Sequence, residues 1–192
     1  MGWVGRIEKN KNWRDFLQIG HHLRQRVPNL QLWMFYDALL SQPDEFAAFN
    51  ETVTAHGMES CLQHLSNVPH REMAKYMSVI GDSGGLLAST SILEGFGYAV
   101  AEAMLCRCPV LSTDSDGVRS FITHNVTGKF YPSGNIEAAV IEALDLMNNR
   151  GLREGIREKG RQAYHWTLFP GHLLLPLSGD GPFARIILKR TT

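Results

Sequence analysis

The sequence predicts an α/β domain built on a doubly wound, Rossmann-like parallel sheet. Two observations carry that expectation. Short apolar runs of strand length alternate with longer segments whose apolar residues recur at helical spacing, the pattern of repeated βαβ units. Right-handed crossovers between such units wind helices onto both faces of one parallel sheet, which binds ligands at the carboxyl ends of its strands. A length of 192 residues suits one domain with room for a core, and 44% hydrophobic with 20% charged residues is ordinary globular composition.

The elements follow in order. Residues 1–6 read as a strand. Trp13, Phe16, Leu17, Ile19, Leu23 and Val27 fall at helical spacing, and Pro28-Asn29 stops that helix. Residues 30–35 read as a buried strand, and residues 44–56 as a helix closed by Gly57. Residues 61–65 are a weak strand. Residues 71–79 form a helix with Met73, Tyr76 and Met77 on one face, followed by a strand at 86–89. A helix at 98–105 opens after a glycine pair. Then come a strand at 110–113, a short helix at 118–125, a strand at 129–131, and helices at 136–147 and 152–164. This organisation gives a single Rossmann-like domain over residues 1–167. From residue 168 the run Phe169-Pro170-Gly171-His172 and the cluster Gly179-Asp180-Gly181-Pro182 break any helix, so residues 168–192 are expected to be an atypical, non-native or truncated tail.

Composition narrows the function. Lys plus Arg and Asp plus Glu number 19 each, which argues against non-specific nucleic-acid binding, normally marked by a basic excess. Three cysteines, Cys61, Cys106 and Cys108, form neither a disulfide framework nor the set of about four ligands a zinc site takes. They read as reduced, packed thiols. The start lacks the apolar stretch of a signal peptide, and no apolar run approaches the roughly 20 residues of a membrane span. The expected location is the cytoplasm, including the inner membrane surface, where the sequons at Asn50 and Asn125 are chance matches.

The chemistry concentrates in residues 89–104. Here a strand gives way to a helix through Glu94-Gly95-Phe96-Gly97, and Glu102 follows within the helix. Glycines allow close approach to the backbone, and the first N–H groups of a helix are an anion site. Taken as one helix, Glu94 and Glu102 would lie about 12 Å apart. That is too far for a glycosidase carboxylate pair at roughly 5–9.5 Å, but suited to a ligand with hydroxyls at both ends and an anion between them. On spacing alone the stretch reads equally as an ordinary strand-to-helix turn with a surface glutamate. A second cluster, Gly5-Arg6-Ile7-Glu8-Lys9-Asn10-Lys11, also lies between a strand and a helix. Arg6 offers a bidentate fork to a phosphate and Lys11 a point charge, although a charge cluster of this kind is by itself most often only solvated.

Together these residues are specific. Gly5-Arg6 with Lys11, then Glu94-Gly95-Phe96-Gly97, Glu102-Ala103-Met104 and Pro109-Val110, resemble the retaining glycosyltransferases with the E-x7-E motif, glycosyl transferases group 1, over roughly residues 3–165. The resemblance implies a single GT-B half-domain that binds a UDP- or GDP-sugar donor without a metal or other cofactor. It implies that Arg6 and Lys11 hold the diphosphate and that Glu94, the catalytic candidate, meets the donor-sugar hydroxyls beside the N–H groups of Gly95, Phe96 and Gly97. It implies that Glu102 meets the ribose and that Asn67 and Val68 border the base. It further implies hexosyl transfer with retention. The acceptor, a glycan, lipid or small molecule, would be held by a missing N-terminal domain, so this half alone is expected to be inactive. Asp116-Gly117-Val118-Arg119-Ser120 stands where the family often has Gly-Gly-x-x-Glu, so Ser120 replaces a carboxylate. Two other readings stay open: a GT-B nucleotide-sugar epimerase using the same pocket, and a Rossmann module that binds a nucleotide or a protein without catalysis.

Other candidates are weaker. His21 and His22 point in different directions on a helix, and His56, His64, His70 and His124 show no metal spacing. Asp114-Ser115-Asp116-Gly117 lacks the distal Glu of a calcium loop and reads as a helix N-cap and turn. Trp13, Trp33, Met73 and Met77 are expected in the core.

Overall fold

The central strands are short and buried on both faces, so each needs cover above and below. A computed structural model of the protein, which describes residues 1–168, supplies that cover. Its elements in chain order are β1 (Gly2–Val4), α1 (Trp13–Arg24), β2 (Leu32–Tyr36), a 3-10 turn (Ala38–Leu40), α2 (Pro43–Ala55), β3 (Leu62–Ser66), α3 (His70–Asp82), β4 (Leu87–Ser89), α4 (Tyr98–Leu105), β5 (Val110–Thr113), α5 (Asp116–Arg119), β6 (Lys129–Tyr131), α6 (Ile136–Asn148) and α7 (Arg150–Leu168). The six strands are all parallel in the order β3-β2-β1-β4-β5-β6. The chain winds outward from β1 in one direction and then from β4 in the other. The crevice between β1 and β4 is therefore the topological switch point, where doubly wound sheets bind ligands.

Successive strand residues feed opposite cores. Met34, Ala88 and Leu111 pack with α1, α2 and α6, whereas Phe35, Leu87 and Val110 pack with α3 and α4. Period-two alternation thus divides two apolar faces rather than core from solvent. Trp13, Met73 and Met77 are buried, and Trp33 packs against the second core. Lys129 is a buried charge: its side chain is 2% exposed, and its ammonium donates to Glu142 and, at 2.7 Å, to Asp145, fastening β6 to α6. Arg157 of α7 donates to the Arg107 carbonyl at 2.8 Å and pairs with Asp82, tying the last helix to α3 and the end of α4.

Three local expectations change. The helix expected at 118–125 is the single turn Asp116–Arg119. After it, Thr127 Oγ1 accepts from the Thr123 N–H and donates to the Phe121 carbonyl, and Asn125 adopts a left-handed φ of 62°, so local side-chain bonding replaces helical bonding. α1 ends at Arg24 rather than Val27, the N–H groups of Arg26 and Val27 both turning back to the Leu23 carbonyl. The 3-10 turn is unforeseen; Asp37 caps it by accepting from the Leu39 N–H at 2.9 Å. All three cysteines are free, and burial pushes the thiols of Cys106 and Cys108 up to about 11 and about 12. No described helix is long and apolar enough to cross a membrane. The expected atypical tail lies, from residue 169, outside the described residues.

Candidate functional site

At the switch point a cleft of about 420 Å³ opens over the carboxyl ends of β1, β2 and β4. Its wall includes Arg6, Lys11, Asn67, Val68, Glu94, Gly97 and Glu102, which reach it from four separate connections and helices. Gly95 and Phe96, expected beside the ligand, are not part of that wall. Gly95 is exposed, and Phe96 packs on Tyr98 and Phe121, with ring centroids 4.6 and 6.0 Å away.

Two loops far apart in sequence form one edge of the cleft. The first leaves β1 at Gly5, whose N–H donates to the Phe35 carbonyl at 3.0 Å, and it is anchored by fully buried Ile7. The second runs from β4 to α4. Asn10 joins them: its carbonyl accepts from the Ile92 N–H at 2.8 Å, its Oδ1 from the Leu93 N–H at 3.1 Å, and its Nδ2 donates to the Leu93 carbonyl at 3.0 Å. Below this clamp, Trp3 Nε1 donates to Thr90 Oγ1 at 3.0 Å, and that hydroxyl donates to the Lys11 carbonyl at 2.8 Å.

The clamp sets Lys11 against Glu94. Lys11 Nζ donates to Glu94 Oε2 at 2.8 Å, Ser91 Oγ donates to the same oxygen at 3.0 Å, and the Gly97 N–H donates to Oε1 at 3.3 Å. Burial works to raise the Glu94 carboxyl, but the hydrogen bond and charge of Lys11, with Ser91 and the Gly97 N–H, hold it below its ordinary value. Both oxygens thus have partners inside the chain. Arg6 is half exposed and pairs with Glu8 at 3.0 Å. A glycine underlies the glutamate: a Cβ on Gly117 would stand 2.1 Å from the Glu94 carbonyl oxygen and 2.6 Å from the Gly95 carbonyl carbon. Ser120, two residues past Val118, is exposed and not in the cleft wall.

The helical estimate for the two glutamates needs correction. α4 begins only at Tyr98; Glu94 to Gly97 are non-helical, and Gly97 takes a left-handed φ of 76°, so the rise of a helix does not apply between them. Both carboxylates nevertheless border the cleft. Glu102 accepts from His70 Nε2 at 2.9 Å, across the mouth between α4 and α3. On the far side, Asn67 has a left-handed φ of 55°, and its Oδ1 accepts from the Ala38 N–H at 3.3 Å, which holds the loop after β3 against the 3-10 turn.

Asn10, Ser91, His70 and Gly117 escaped the sequence reading as parts of the site. Asn10 stood in a charge cluster and His70 among scattered histidines, and their partners lie 83 and 32 residues away. Among the described residues no group of three or more His, Cys, Asp or Glu side chains is placed to hold a metal ion. The arrangement can accept an anion at two cations and a helix N-terminus, and can receive hydroxyl donors at two carboxylates.

The family model described as Glycosyl transferases group 1 matches residues 1–163. The chain is 23% identical over 159 residues to a 2-deoxystreptamine N-acetyl-D-glucosaminyltransferase of Niallia circulans, covering 83% of this chain and 39% of that protein. It is 30% identical over 129 residues to a probable sucrose-phosphate synthase of Thermosipho melanesiensis, covering 67% and 30%. In fold it is similar to HepE of Anabaena in complex with UDP-glucose, with TM-score 0.76 and 21% identity over 85% of this chain and 43% of that one. It is also similar to the C-terminal domain of a glycosyl transferase group 1 family protein (LpcC) of Francisella tularensis, with TM-score 0.74 and 18% identity over 88% and 85%. The chain thus spans 39% and 30% of the two curated relatives' lengths. The chain belongs to the Glycosyl transferases group 1 family, and its sheet is one Rossmann-like half of the GT-B fold.

Proposed function

We propose that this chain is the donor-binding half of a retaining glycosyltransferase that takes a UDP- or GDP-hexose. The acceptor, a glycan, lipid or small molecule, is held by a domain outside this sequence. One observation carries the reading: Arg6, Lys11, Glu94 and Glu102 border a single cleft at the switch point of the sheet. In this reading the diphosphate lies between Arg6, Lys11 and the N-terminus of α4. When the bond from the anomeric carbon to the diphosphate oxygen breaks, negative charge grows on the leaving group, and fixed cations and N–H dipoles stabilise it most at that moment. Glu94 accepts from the donor-sugar hydroxyls and Glu102 from the ribose hydroxyls. The diphosphate competes with Glu94 for Lys11, so filling the site exchanges an internal ion pair for one with the ligand. HepE, whose structure contains UDP-glucose, has the same fold.

Calorimetry with UDP, GDP and their hexose derivatives tests this. Glu102→Gln is expected to weaken the bare diphosphate. Glu94→Gln is expected to weaken the nucleotide sugar while leaving the bare diphosphate no weaker, since Lys11 is released. If neither diphosphate binds at millimolar concentration, the reading fails. Identical responses of both variants to both ligands would remove the division of roles.

A further inference from the structure

We infer that His70 is a positioning residue of the cleft, holding Glu102 so that the site selects a ribose over a 2′-deoxyribose; the inference rests on the donor-binding reading above. A carboxylate accepts hydrogen bonds and donates none, so in the 2.9 Å contact His70 Nε2 carries the proton and Glu102 Oε1 receives it. That places a proton on Nε2 and occupies one of the two oxygens. The pair spans two elements: His70 is the first residue of α3, and Glu102 lies in the second turn of α4. Both border the cleft.

A stabilising role does not account for the pair. The side chains are 49% and 34% exposed, and exposed pairs of this kind contribute about 0–1 kcal/mol. The helices α3 and α4 are already joined by the buried contacts of Met73, Met77, Val100 and Ala103. What the imidazole adds is direction. A glutamate that is a third exposed samples several rotamers, and one fixed hydrogen bond selects among them before the ligand arrives, which lowers the ordering cost on binding. A carboxylate so held presents acceptors to a vicinal diol, and a sugar lacking the 2′ hydroxyl leaves one acceptor without its donor.

The experiment uses the full chain and two ligand pairs, UDP with 2′-deoxy-UDP and GDP with 2′-deoxy-GDP, titrated by calorimetry, with inorganic pyrophosphate as a probe of the cations alone. The unmodified protein is expected to prefer the ribo form about tenfold, the scale of one hydrogen bond to a charged group. His70→Leu should bring that preference down to about twofold or less, with pyrophosphate binding and Tm unchanged. His70→Gln, whose amide can still donate, should restore much of it. Undiminished preference in His70→Leu overturns the inference while leaving the donor reading intact. Equal loss of affinity for all ligands, pyrophosphate included, also overturns it, because His70 would then support the fold. Failure of every diphosphate to bind removes the donor reading itself.

Discussion

At the scale of single residues, Gly117 and Glu94 bear the sharpest constraints. Gly117 sits in the first turn of α5, where alanine is ordinarily favoured over glycine by up to about 1 kcal/mol. Its missing side chain is what lets α5 lie on the Glu94–Gly95 backbone. Gly117→Ala is therefore expected to destabilise by about 1–3 kcal/mol, the cost of overpacking, against the sign of helix propensity. Chemical denaturation checks the stability, and the same variant should lose nucleotide-sugar affinity because Glu94 must move. The carboxyl of Glu94 lies below its ordinary value of 4.5 in the folded protein. Its stabilising contribution is then complete above that value and disappears as pH falls through the lower, folded one. The stability difference between the unmodified protein and Glu94→Gln should accordingly shrink as pH falls below the ordinary carboxyl value of 4.5; a difference that is flat or grows on acidification would mean that the Lys11 pair does not stabilise the fold.

At the scale of elements, β6 and α6 are coupled by a charge as well as by apolar packing. Lys129 is almost wholly buried, whereas Glu142 and Asp145 are 25% and 42% exposed. Removing the ammonium strands two carboxylates that water still reaches, so the cost falls below that of breaking a fully buried pair. Lys129→Met is expected to destabilise by about 1–3 kcal/mol in urea denaturation with unchanged m. A neutral or more stable variant would assign α6 docking to Ala139, Val140, Ala143 and Leu146 alone. Strands were legible as short apolar runs, and long helices because their apolar residues recur with a period of 3.6. The 3-10 turn and the end of α5 were not, since they depend on individual hydrogen bonds accepted by the Asp37 and Thr127 side chains rather than on a repeated pattern.

For the whole molecule, strand order places the cleft, because it brings the carboxyl ends of β1, β2 and β4 to one crevice. A ligand that binds only the folded domain raises its stability by mass action, by about 2.7 kcal/mol at a concentration near 100 times Kd. In a domain of this size that corresponds to a rise in Tm of about 5–10 °C. A thermal scan with UDP or GDP should display it, and Arg6→Ala with Lys11→Ala together should abolish most of it. No shift for any nucleoside diphosphate at saturating concentration would count against the cleft as a donor site. By itself the sequence determined the alternation of strands and helices, hence the parallel sheet, and it marked the two loops at strand ends where cations, glycines and glutamates gather. Only the tertiary structure decided which of these side chains meet: Asn10 with the loop before Glu94, Lys11 with Glu94, Gly117 beneath it, and His70 with Glu102. The physical reason is that periodicity records which side of an element is buried, while neighbours across the cleft are chosen by the order and register of strands distant in the chain.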